Sequence, residues 1–158
     1  MPPSDLYERD YFAWILEQVR VLREHRVEEV DWVNLAEEIE DLGKSEKRSV
    51  ESHLARIVEH LLKLVYSPSL AKDLNRRGWQ ISVREARRQL HRLLDESPSL
   101  RRKMSELFPH AYHSGRNAVL IGTDLAESAL PENSPWTLEQ TIDNGFLPDN
   151  QNAVKTAD

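Results

Sequence analysis

Between Leu35 and Val65 the apolar residues keep one helical period. Leu35, Ile39, Leu42, Val50, Leu54, Ile57, Leu61 and Val65 recur at steps of mostly three or four, with the polar Glu46 in the slot between Leu42 and Val50. The spacing predicts a long helix over Asp31 to Tyr66, about 54 Å at about 1.5 Å per residue, bent rather than stopped near Gly43 because a mid-helix glycine costs about 1 kcal/mol relative to alanine. Ahead of it, Tyr11, Trp14, Ile15, Val19 and Leu22 make an apolar stripe on a helix that starts near Ser4 or Asp5, after Pro2 and Pro3, and stops near His25. That stripe is expected to face the long helix.

Ser67-Pro68-Ser69 reads as a turn, and Leu70 to Gly78 as a polar connection in which Asn75 and Gly78 disfavour regular structure. A third helix is expected from Trp79, carried by Val83, Ala86, Leu90, Leu93 and Leu94, and closed by Ser97-Pro98-Ser99. Leu100 to about Leu125 is expected to form a short helix and then a longer one, divided at Pro109, with Met104, Leu107, Phe108, Ala111, Tyr112, Ala118, Val119 and Ile121 on the buried side. Leu130 to Pro148 carries Trp136, Leu138, Ile142, Phe146 and Leu147, too much apolar area to leave in water at about 25 cal/mol per Å². It should fold back through Trp136 and Phe146, and Thr137 with Gln140 three residues later predicts a capped turn of helix there. The pattern is that of an all-α bundle of about four main helices in a single domain over residues 1–148, with a disordered tail over 149–158.

Composition narrows the function classes. A chain of 158 residues suits one core. The net charge of −6 argues against binding nucleic acid through overall charge. The lack of cysteine removes disulfides, thiolate zinc sites and a cysteine nucleophile together. MPPSDLYERD lacks the basic start and apolar core of a secretory signal, and no apolar run approaches the roughly 18 residues of a membrane span. A cytoplasmic protein with no membrane contact and no cofactor is the expectation.

Several blocks together resemble a known family. LYERDYFAWILEQVRVLRE, VDWVNLAEEIEDLGKSEKR, EHLLKLVYSP, RGWQISVREARRQLHRLLDESPSLR and PWTLEQTIDNGFLP, in that order from Leu6 to Pro148, are similar to the bacterial family catalogued as domain of unknown function 29. The resemblance implies an α-helical domain and implies no activity, substrate or catalytic residue.

Candidate chemistry therefore rests on the residues themselves. Glu37, Glu38, Glu40 and Asp41 crowd one stretch of helix, and like charges this close ask for a partner. The pairs Glu37/Glu40 and Glu38/Asp41 have the three-residue spacing that lets two carboxylates share a magnesium ion, so Glu37, Glu38 and Asp41 are candidate metal ligands of an enzyme acting on phosphate-containing substrates. A second acidic pair of that spacing is missing from the third helix, which offers only Glu85, Asp95 and Glu96. The stronger reading is mutual neutralisation. Residues 28–46 carry a net −7 and residues 72–103 a net +6, which favours ion pairs of Glu38 or Asp41 with Arg84 or Arg88 across a helix interface.

Glu106, His110 and His113, at steps of four and three, form a second candidate metal cluster. Glu46, His53 and His60 do not, because each seven-residue step climbs about 10.5 Å. Arg76, Arg77, Arg87 and Arg92, with Arg84, Arg88 and Trp79, are candidate contacts to a nucleic-acid backbone. No glycine-rich phosphate loop or nucleophile elbow occurs. A charged bundle without an assembled active site points to a non-enzymatic interaction module that binds a protein partner or itself; the metal enzyme and the nucleic-acid accessory protein are the alternatives.

Overall fold

The computed structural model describes residues 3–148; the tail expected over residues 149–158 lies outside them. The described chain is all-α: α1 (Pro3–Arg9), α2 (Tyr11–Arg23), α3 (Trp32–Tyr66), α4 (Ser69–Glu96), α5 (Met104–Gly122) and α6 (Leu138–Ile142), with short 3-10 turns at Val27–Glu29, Pro98–Lys103 and Glu127–Ala129. Contacts divide the chain into two compact units at Glu46/Lys47. The division falls inside α3, at the polar slot that interrupts its apolar stripe.

In the unit that begins at Lys47, the second half of α3 supplies Val50, Leu54, Ile57, Leu61 and Leu64 to a core completed by Val83, Ala86, Leu90 and Leu94 of α4, by Leu100 of the 3-10 turn after it and by Met104 and Ala111 of α5. Val58 and Leu62 of α3 join Tyr112 and Val119 of α5 and Leu130 in a second cluster. Trp136 packs against both, so the C-terminal segment closes this unit as its apolar content requires. At Gly115 α5 lies close against α3: a Cβ there would lie 2.5 Å from the Ala55 carbonyl oxygen and 2.9 Å from Val58 Cγ1. Only glycine permits that approach.

Three expectations about element boundaries are corrected. Residues 70–78 are helix, not connection, because α4 starts directly after Pro68. Asn75 spends its side chain on the Ala71 carbonyl at 2.8 Å, and Gly78 faces open space, so neither breaks the ladder. Pro109 does not divide α5. It removes one bond to the Ser105 carbonyl, and both residues are exposed, so the loss falls where the chain is open to solvent. The first helix is two: Asp10 leaves helical geometry and its side chain accepts from the Ala13 amide at 3.0 Å, capping α2. Gly43 leaves α3 continuous.

α2 ends where expected, by a Schellman turn. His25 takes φ 57°, and the Arg26 amide donates to the Val21 carbonyl at 3.0 Å. In the unit ending at Glu46 only Trp14, Val21 and Val30 are buried apolar residues among the described residues. Tyr11, Val19 and Leu22, expected to be covered, are 38–46% exposed, and Ile39 and Leu42 are 60% and 67% exposed. Ile121, expected on the buried side of α5, is 87% exposed.

Candidate functional site

The acidic run of α3 is held by aromatic residues. Asp31 accepts from the Asn34 amide and side chain and from Trp14 Nε1, at 3.4, 2.8 and 3.1 Å, and its own amide donates to Gln18 Oε1 at 2.8 Å. This fixes the start of α3 against α2. Two turns further, Tyr7 donates to one oxygen of Glu38 at 2.6 Å and Tyr11 to the other. Tyr7 and Tyr11 both contact Trp14, at ring separations of 4.8 and 6.0 Å. The hydrogen bond to the Glu38 carboxylate, with burial and its charge, pushes the Tyr7 phenol up to about 12.

Glu38 is thus satisfied by two neutral donors. Asp41 lies 3.4 Å from Lys44, and Glu40 4.0 Å from the same ammonium. Glu106 is 3.9 Å from Lys103; His110 donates to Glu51 at 3.0 Å; His113 meets the Tyr112 ring edge-on at 5.9 Å. Among the described residues no group of three His, Asp or Glu side chains is placed to hold a metal ion. Neither Glu37, Glu38 and Asp41 nor Glu106, His110 and His113 converges.

The arginines of α4 divide into one that is buried and others that are exposed. Arg87 is 2% exposed, and its Nε and Nη1 donate to the carbonyls of Thr141 and Phe146 at 2.9 and 2.8 Å. His91, one turn on, donates Nε2 to the Ile142 carbonyl at 2.9 Å. Together they take up carbonyls that the short helix α6 and the turn after it leave unsatisfied, at the end of a helix where cations are favoured. Arg87 is therefore withdrawn from the proposed nucleic-acid contact: it clamps the C-terminal segment. Its position foretold this, since Arg87 lies in phase with Val83, Leu90 and Leu94 on the core face.

The other candidates are exposed. Arg88 grips Glu85 through two bonds of 3.0 and 2.7 Å, which with Gln89 holds that carboxyl down to about 2. Arg92 pairs with Glu96 at 2.9 Å. Arg76, Arg77 and Arg84 line a surface hollow with Asp73, Gln80 and Ile81, and Arg84, Arg88, His91 and Arg92 line a second with Asp95, Glu96 and Asn144. The charge balance paired Glu38 or Asp41 with Arg84 or Arg88; the partners found are Tyr7 and Tyr11 for Glu38, Lys44 for Asp41 and Glu85 for Arg88, each inside its own unit.

Two features went unread in the sequence. One is the clamp of Tyr7 and Tyr11 on Glu38, whose only signal is the four-residue spacing of the tyrosines. The other is bare apolar surface: Phe12 and Leu16 on α2, Trp32, Val33, Ile39 and Leu42 on α3, and Leu70, Leu74 and Ile81 on α4 are 51–76% exposed. Among the described residues no helix is long and apolar enough to cross a membrane. No curated protein and no solved structure gives a match to the chain. The family model described as Domain of unknown function DUF29 matches residues 6–147, so the chain belongs to that family.

Proposed function

We propose that the protein is a helical interaction module that works by contact with another polypeptide and not by catalysis. The observation that carries this reading is the placement of apolar surface. Ten of the fifteen large apolar side chains that are exposed among the described residues precede Lys47, on a unit that buries three. Apolar side chains left exposed in this number point to a contact site, and two amphipathic helices present them in the form that helix-in-groove and bundle partners use. The clamp on Glu38 and the Asp31 network support the reading by holding α2 and the start of α3 in fixed register, so that the surface is preformed.

A photo-crosslinking residue placed at Leu16 or Val33, in cells that express the chain, is expected to trap a second polypeptide, whereas one at the exposed Glu132 is not. Recovery of the free chain alone from all three positions refutes the module.

A further inference from the structure

α4 carries a second stripe opposite its core face. Leu70, Leu74, Arg77, Ile81, Arg84 and Arg88 follow one another at alternating steps of four and three, the 3.5-residue repeat of a coiled-coil seam. All six are exposed, with Leu70, Leu74 and Ile81 at 72, 76 and 51%. The first half of α3 carries a matching stripe of the same repeat, Leu35, Ile39, Leu42 and Glu46, with Trp32 beside it. From Val50 onward this face of α3 is buried; before that, Trp32, Ile39 and Leu42 are 57, 60 and 67% exposed.

The two stripes are complementary in charge. One joins apolar residues to Glu46 within a segment of net −7, and the other joins apolar residues to three arginines within a segment of net +6. Glu46, Arg77 and Arg84 make no ion pair among the described residues. We infer that the first half of α3 docks along the outer face of α4 in a second copy of this chain, each copy giving one stripe and receiving the other. A closed two-fold pair of this kind uses both stripes twice. Six large apolar side chains per copy, with the stems of the arginines, would bury on the order of 700–800 Å² per partner, the area a stable interface needs. Gly43 and Ala36 flank the α3 stripe and leave room for a helix to approach; a Cβ at Gly43 would meet nothing within 4 Å.

The inference rests on the interaction-module reading and names its partner. Sedimentation of the full chain over a range of concentrations is expected to give twice 18.4 kDa. Glu46→Arg alone, and Arg77→Glu with Arg84→Glu in another chain, should each sediment as one chain with helicity intact by circular dichroism. An equimolar mixture of the two should recover the pair, because each reversed stripe then meets a reversed partner. Leu70→Ser with Leu74→Ser should lower the association at least tenfold without any change of charge. A wild-type chain that stays single at every concentration, a pair indifferent to the reversals, or a mixture that remains single overturns the inference. In any of those cases a crosslink from Leu16 or Val33 to a different polypeptide leaves the module standing, and its absence removes both.

Discussion

The two units of this chain spend their apolar residues in opposite ways. Among the described residues the unit from Lys47 onward buries eighteen apolar side chains, seventeen of them in two clusters, and exposes five large ones, whereas the unit before it buries three and exposes ten. Both carry amphipathic helices of ordinary pattern. The difference is that α3, α4 and α5 cover one another around Leu54, Leu61, Leu90 and Ala111, while α2 and the first turns of α3 are joined by polar and aromatic bonds around Asp31 and Glu38. Amphipathicity states that a helix has a face to bury, and leaves open what buries it.

The sharpest way to break this contrast is to shorten one side chain on each side of it. Leu61→Ala, at a site with 0% exposure, should cost about 3 kcal/mol in chemical denaturation, and Phe12→Ala, at 68% exposure, should stay within about 0.5 kcal/mol. Equal costs would mean that Phe12 is covered in solution.

Next in size is the clamp on the C-terminal segment. Arg87→Met should cost about 2 kcal/mol, because it leaves the Thr141 and Phe146 carbonyls without their donors, and should speed amide exchange in α6 while that of α2 is unchanged. Arg87→Lys should not restore it, since an ammonium donates from one nitrogen and lacks the planar fork whose Nε and Nη1 reach the two carbonyls. Slow exchange in α6 of either variant would show that Trp136 alone holds the segment.

The smallest effect is in pH. Burial lowers the pKa of His53 and of His60 below their ordinary 6.5. A depressed folded pKa means that the unfolded chain takes up protons first, so the stability these rings contribute is present above pH 6.5 and is lost as pH falls through the folded values. Both rings are part exposed, so the loss should be below about 1 kcal/mol after solvent screening. His53→Gln with His60→Gln should flatten the denaturation midpoint between pH 7.5 and 5.5, and a slope unchanged from wild type would place the titration elsewhere.

Residues that answer to local rules were legible in advance. The all-α class, the span of α3, the stop of α2 at His25 and the capping box at Thr137 and Gln140 follow from spacing and from a few side chains that bond their own neighbours. The core partners Leu54, Ile57, Leu61, Leu90 and Leu94 were legible for the same reason. Local rules failed where a residue was weighed by type alone. Asn75, Gly78 and Pro109 were read as breakers, yet an exposed helix tolerates each where a side chain, open space or exposure to solvent limits the loss.

The candidate site was less legible still. An arginine counts as charge in a sequence, but Arg87 lies in phase with the core stripe and is used as a buried donor to carbonyls 54 and 59 residues away. Glu38 counts as a repelling carboxylate, yet two tyrosines reach it from 31 and 27 residues away.

What the sequence determined by itself is therefore the set of helices and the faces they have to bury, because backbone hydrogen bonding and apolar periodicity act within a few residues. Tertiary structure alone decided which of those faces found cover, because the area that shields Leu61 and leaves Leu42 bare comes from segments remote in the chain. It also decided which charges became structural, since desolvation of Arg87 is tolerable only where distant carbonyls converge on it.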